Sequence, residues 1–106
     1  MPYHLIMDVE AGVKRFGGKR ERYFSSLLSF AQGLPEKKLH HQSLDLQREV
    51  HAIKGVSGNL GIISLYNEAI CYEQMIKSGE SLEETYHGFY DTCAEAGKAI
   101  LQKFGH

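Results

Sequence analysis

From Leu82 to Phe104 the apolar residues Leu82, Tyr86, Phe89, Cys93, Ala96, Ile100 and Phe104 recur at spacings of three and four. That period matches one face of an α-helix and not a strand, whose faces alternate at every second residue. Ser81, followed three residues later by Glu84, forms a capping box at the start. A helix this long must bury its apolar stripe against other elements. No strand-like alternation elsewhere lasts more than a few residues, so those elements are helices too. At 106 residues, 42% hydrophobic and 24% charged, the chain supports one modest core and a single domain, 1–106. That length excludes a complete ATP-driven kinase, a Rossmann enzyme with its substrate domain and a TIM barrel.

The same periodicity divides the rest of the chain. Asp8 is a good N-cap for a short helix ending at Phe16, with Val9, Val13 and Phe16 on one side and Gly17-Gly18 as its stop. A second helix runs from Arg20 to Gln32 with Phe24, Leu27, Leu28 and Ala31 as its stripe, and Gly33 and Pro35 interrupt it. Glu36 to Gln42 is short and polar, a helical turn or a loop. Ser43 is placed to cap a third helix ending near Leu60, with Gly61 in the C-terminal stop position. Ser64 caps a fourth, from Leu65 to Lys77, with Leu65, Ala69, Tyr72 and Ile76 inward. Long helices with short connections are up-and-down neighbours. The expected fold is all-α, an antiparallel up-and-down four-helix bundle with a short extra N-terminal helix.

A net charge of −1 argues against a nucleic-acid binder working through bulk charge. The basic run Lys14, Arg15, Lys19, Arg20 and Arg22 reads as a solvated helix end and turn. No stretch of 18 apolar residues spans a membrane, and the start lacks the charged and apolar regions of a signal peptide. Cys71 and Cys93 fall on apolar helix faces and are expected to be small buried hydrophobes in a reducing cytoplasm. Adjacent helical residues point about 100° apart, so His40-His41 makes a poor metal pair, and no metal ligand set is expected.

The third helix carries the functional information. Leu46, Ile53, Val56, Leu60 and, more loosely, Ile63 fall on one side as the core stripe. His51, Lys54, Gly55, Gly58 and Ile62 fall on the other, facing solvent or a partner. Two glycines inside a helix cost about 2 kcal/mol together by intrinsic propensity, against a total stability of about 5–15 kcal/mol. Glycine's compensating use is close approach by another backbone or a ligand. An imidazole nitrogen is nucleophilic at neutral pH and forms phosphoramidates. A lysine three residues on shares its face and offers an ammonium to phosphoryl oxygens. The bare backbone at Gly55 and Gly58 lets a bulky active site settle over the histidine.

The stretch His51-Ala52-Ile53-Lys54-Gly55-Val56-Ser57-Gly58-Asn59-Leu60-Gly61 closely resembles the His-x-x-Lys-Gly signature of histidine-containing phosphotransfer (HPt) domains. The resemblance extends upstream over Asp8 to Gly18 and downstream to Glu73, where the family often has Glu or Gln; the last helix matches in pattern only. The segment from Phe30 to His51 is shorter than the family pattern by about two helical turns. The resemblance implies a four-helix bundle and a place in a multistep His–Asp phosphorelay. By position it makes His51 the phosphoacceptor at Nε2, Lys54 the group that steadies phosphoryl charge, and Gly55 and Gly58 the cleared space for a receiver domain. Glu73, or Gln74 as an alternative, would accept from His51 Nδ1–H and fix the tautomer. The implied partners are response-regulator receiver domains and a hybrid sensor histidine kinase, with Ala52 and Ile62 joining the receiver-binding surface.

Phosphoryl transfer is largely positioning and charge stabilisation. The chain shows no acidic cluster around His51 for Mg²⁺ and no Walker-type loop. The expectation is therefore a cytoplasmic phosphocarrier without a cofactor of its own, the Mg²⁺ and catalytic aspartate coming with the receiver. The kinase dimerisation motif typically places an acidic residue directly after its histidine, where this chain has Ala52. The competing expectation is a helical interaction module in which His51 is never phosphorylated.

Overall fold

The computed structural model of the chain describes residues 3–34 and 43–105, with 43–45 described by backbone alone. Among the described residues the structure is all-helical: α1 (Val9–Arg15), α2 (Arg20–Gln32), α3 (Ser43–Leu60), α4 (Ile63–Lys77) and α5 (Leu82–Phe104). Pro35, Glu36 to Gln42, the His40-His41 pair and His106 lie outside the described residues. No helix is long and apolar enough to cross a membrane, among the described residues.

The helix ends follow local chemistry. The Asp8 carboxylate accepts from Ala11 N–H at 3.0 Å, and Lys14 and Arg15 occupy the last turn of α1, where cations favour the helix dipole. Gly17 and Gly18 both adopt positive φ and turn the chain into α2. Ser81 Oγ accepts from Glu84 N–H at 3.4 Å at the start of α5.

The turn between α3 and α4 is the tightest joint. Gly61 sits at φ 74°; Ile62 N–H donates to Ser57 C=O at 2.9 Å and Gly61 N–H to Gly58 C=O at 3.3 Å. These two bonds make a Schellman motif, whose last residue turns an apolar side chain back against the helix. That residue is Ile62, which is 0% exposed. Ile62 therefore does not share the solvent face of His51, because the helix has already ended at Leu60 and the α-helical period no longer sets its direction. Ser64 is not the cap of α4 either, since α4 begins at Ile63 without a side-chain cap. The Ser64 hydroxyl instead accepts from Ile6 N–H at 3.1 Å, while Ser64 N–H donates to Ile6 C=O at 3.2 Å and Asp8 N–H to Gly61 C=O at 2.8 Å. The N-terminal segment is thus stitched to the α3–α4 turn.

Helix α3 lies against α4, α4 against α5, α5 against α2, and α1 crosses α3 and α2. The core stripe of α3 is Leu46, Val50, Ile53, Ser57 and Leu60. Val56 is 42% exposed and Ile63 is also exposed, so neither belongs to it. Ser57 holds the interior position because its hydroxyl donates to Ile53 C=O at 2.6 Å and so buries no unsatisfied group. On α2 the buried residues are Tyr23, Leu27 and Ala31, and Tyr23 OH donates to Leu60 C=O at 2.7 Å. Tyr72 OH and Thr92 Oγ1, 2.9 Å apart, join α4 to α5. Cys93 is buried, which pushes its thiol up to about 12. Cys71 is exposed, contrary to its expected place on a buried face, and both thiols are free.

Gly12 explains how α1 sits so close. A Cβ there would lie 2.7 Å from Leu60 O and would also strike the Tyr23 ring. Gly12→Val is therefore expected to cost about 1–3 kcal/mol through overpacking, lowering the melting temperature by at least about 5 °C. Circular dichroism melts measure this, and an unchanged midpoint would contradict the packing of α1 on Tyr23.

Candidate functional site on α3 and α4

His51 projects from the middle of α3 with its side chain 73% exposed. Lys54, one turn on, is 25% exposed, and Glu73 reaches over from α4 with only 16% exposed. Lys54 Nζ donates to Glu73 Oε1 at 2.9 Å. Glu73 Oε2 lies 3.4 Å from His51 Nδ1. The structure thus brings together the three residues His51, Lys54 and Glu73. Gln74 is exposed, and the contacts to His51 and Lys54 are made by Glu73.

The Lys54 ammonium is the main reason that the Glu73 carboxyl is held below its ordinary range; partial burial opposes this, and the His51 contact adds to it. An ionised carboxylate only accepts hydrogen bonds, so it favours the tautomer with the proton on the Nδ1 that faces it. In the neutral ring the lone pair then resides on Nε2, on the far side, where no described residue bonds to it. The arrangement offers an exposed, in-plane nucleophilic nitrogen with its tautomer set from behind.

The two glycines of this face differ. Around Gly55 nothing lies within 4 Å of the position a Cβ would take, and the residue is exposed. No contact in the fold calls for glycine there. At Gly58 a Cβ would come 3.1 Å from the Tyr66 ring of α4, so its bareness admits Tyr66. Ala52 is exposed beside His51, as expected. Ala52 and Val56 border a shallow groove of about 560 Å³ against Ser29 and Phe30 of α2.

On the other flank of His51 is a cleft of about 430 Å³ lined by Gln47, Arg48, His51, Lys54, Glu73 and Lys77. Sequence reasoning passed over Arg48 and Lys77, although helical spacing points to both. Arg48 is three residues before His51 and Lys77 four after Glu73, each on the same face as its neighbour. No group of three or more His, Cys, Asp or Glu is arranged to hold a metal ion among the described residues.

Compared with known proteins, the chain matches no family model, no curated protein and no solved structure.

Two outcomes follow from this geometry. Gly55→Ala should stabilise the protein by about 1 kcal/mol, because the methyl meets nothing and helix propensity improves; urea unfolding measures it, and destabilisation would reveal a hidden contact. Glu73 has a lower pKa folded than unfolded, so it binds fewer protons in the folded state. Its contribution is full above the ordinary glutamate value of about 4.3 and is lost as pH falls through the lower folded value. Wild type should therefore lose stability more steeply than Glu73→Gln between about pH 5 and pH 3; equal slopes would contradict the Lys54–Glu73 pair.

Proposed function

We propose that this chain is a histidine phosphotransfer domain, α2 to α5 forming an antiparallel four-helix bundle with α1 as the extra helix. In this reading His51 accepts a phosphoryl group from a receiver-domain aspartate and passes it to another receiver. The observation that carries the reading is Gly55: a glycine in a helix interior, exposed, with no internal contact to explain it, one turn beyond an exposed histidine. Its cost of about 1 kcal/mol finds a use only when a second molecule comes down on that surface. The resemblance of His51 to Gly61 to the HPt signature supports the same conclusion.

The step balances without any cofactor on this chain. The Nε2 lone pair attacks phosphorus of the aspartyl phosphate, in line with the departing oxygen. The N–P bond forms, the P–O bond breaks, and the aspartate leaves as a carboxylate. The ring keeps its Nδ1 proton and gains positive charge, which the Glu73 carboxylate stabilises. Lys54, hydrogen-bonded to Glu73, is close enough on α3 to turn toward the phosphoryl oxygens as charge moves onto them. The receiver supplies Mg²⁺, the aspartate and the remaining catalytic groups, so the chain is a carrier rather than an autonomous enzyme. Ala52, Gly55 and the exposed Val56 furnish the apolar ground on which the receiver rests, and partners of this kind place the chain in the cytoplasm.

Mixing the protein with a panel of aspartyl-phosphorylated receiver domains tests the reading. Acid-labile, base-stable label is expected on wild type and none on His51→Gln. Gly55→Leu should fold at least as well as wild type yet accept label at least tenfold more slowly. Lys54→Ala should slow transfer by about tenfold or more, as expected for loss of a charge-assisted contact. Equal labelling of wild type and His51→Gln, or none on either, would favour a helical interaction module without phosphorylation.

A further inference from the structure

The end of α3 is held by more than its own backbone. A helix leaves its last carbonyls without partners inside the helix, yet here every carbonyl from Ser57 to Gly61 accepts a hydrogen bond. Ile62 N–H donates to Ser57, Gly61 N–H to Gly58 and Asp8 N–H to Gly61. Tyr23 OH donates to Leu60. The Arg15 guanidinium, from the last turn of α1, donates to Gly58 at 3.0 Å and to Asn59 at 3.4 Å. On the α4 side the Tyr3 hydroxyl donates to Glu68 Oε1 and lies 3.1 Å from Ser64 Oγ. Burial pushes the Glu68 carboxyl above its ordinary range and the Tyr3 bond opposes that, so the hydroxyl supplies a donor that burial has taken away. Residues 3–15 are thus one piece of chain, bonded to α4 at Tyr3 and to α3 at Arg15, with α1 between.

We propose that Tyr3 and Arg15 are positioning residues for His51: they brace the start of α4 against the end of α3, so that releasing residues 3–15 from the turn frees His51 Nδ1 from Glu73. Neither residue touches the ring. Glu73 follows Glu68 on α4 and His51 precedes Gly58 on α3, by about 7.5 and 10.5 Å along the helix axes. The influence passes through the setting of one rigid helix on another. The Glu73 Oε2 to Nδ1 contact is the sensitive one. At 3.4 Å it stands near the limit of a hydrogen bond, whereas Lys54 Nζ to Glu73 Oε1, at 2.9 Å, has room to lengthen. A small slide of α4 along α3 therefore loses the ring contact before the ion pair. The brace goes beyond the phosphotransfer reading and does not need it, since it concerns the ring of the unphosphorylated protein. Within that reading it couples the N-terminal segment to the choice of the nitrogen that is free to attack.

Ring nitrogen NMR of the unphosphorylated, histidine-labelled protein tests the brace, at a pH where the His51 ring is neutral and with its signals identified by their absence from His51→Gln. The two ring shifts give the ratio of Nδ1–H to Nε2–H. Wild type should favour Nδ1–H. Tyr3→Phe combined with Arg15→Gln should move the ratio toward Nε2–H at least about threefold, as Glu73→Ala does, a change within the net worth of one hydrogen bond. Arg15→Lys should move it less than Arg15→Gln. Ile100→Val, which removes a methylene from the buried face of α5, should lower the melting temperature and leave the ratio at its wild-type value. An unmoved ratio in the Tyr3/Arg15 variant, or an equal change in Ile100→Val, overturns the brace. The receiver-transfer experiment judges the phosphotransfer reading separately: a moved ratio with no label on wild type leaves the brace and removes the relay role, whereas label with an unmoved ratio does the reverse.

Discussion

The Glu73 carboxylate, with one oxygen bonded to Lys54 and the other beside His51 Nδ1, ties the packing of α3 on α4 to the chemistry of a surface histidine. That contact is a matter of register. His51 lies nine residues before the end of α3 and Glu73 ten residues after the start of α4, about 14 and 15 Å along their axes at 1.5 Å per residue. The two meet because the connection between the helices is nearly as short as a connection can be. Gly61 supplies the left-handed residue, Ile62 locks the turn by burying its side chain, and Ile6, Asp8 and Ser64 hold it from outside. A longer or looser turn would slide Glu73 past His51 and leave Lys54 to face the ring without a counter-charge. The N-terminal segment, far from His51, thereby contributes to the site through the turn it clamps.

Glycine serves several purposes in this chain, and the structure separates them. Gly61 provides a backbone conformation. Gly12 and Gly58 make room for other parts of the same molecule, the Tyr23 ring with Leu60 and the Tyr66 ring respectively. Gly55 does neither, since a side chain there would meet only open space. A helix carrying a glycine with no internal use gives up stability, and in a domain of this size about 1 kcal/mol is a noticeable fraction of the whole. In the proposed reading, a second molecule settling over His51 accounts for that loss.

Much of the helical framework was legible because caps and periodicity are local. Asp8 and Ser81 cap as expected, and the bounds of α2 and the end of α3 follow from glycine stops and apolar spacing, whereas Ser43, expected as a cap, is already the first residue of α3. The errors arose where tertiary context outweighs local preference. Ile62 follows a helical period that has already ended, so a wheel drawn through it points the wrong way. Val56 is as apolar as its neighbours, yet Ser57 takes the interior place because a serine can satisfy its hydroxyl within its own helix. Cys71 is on the solvent side of α4. His51, Lys54 and Gly55 stood out from spacing alone, whereas the Glu73 contact needed the α3–α4 register, which the resemblance implied and no local pattern encodes. Arg48 and Lys77 belong to the same lesson, as ordinary surface cations that become a cleft only when two helices are set side by side.

If Glu73 holds the Nδ1 proton of His51, then Nε2 is the atom that meets the phosphoryl group in the proposed transfer. The most direct measurement is nitrogen–phosphorus NMR of the histidine-labelled protein after transfer from a phosphorylated receiver. A single phosphorus coupled to Nε2 of His51, with Nδ1 protonated, is the predicted result; phosphorus on Nδ1, or on any other histidine, would contradict it.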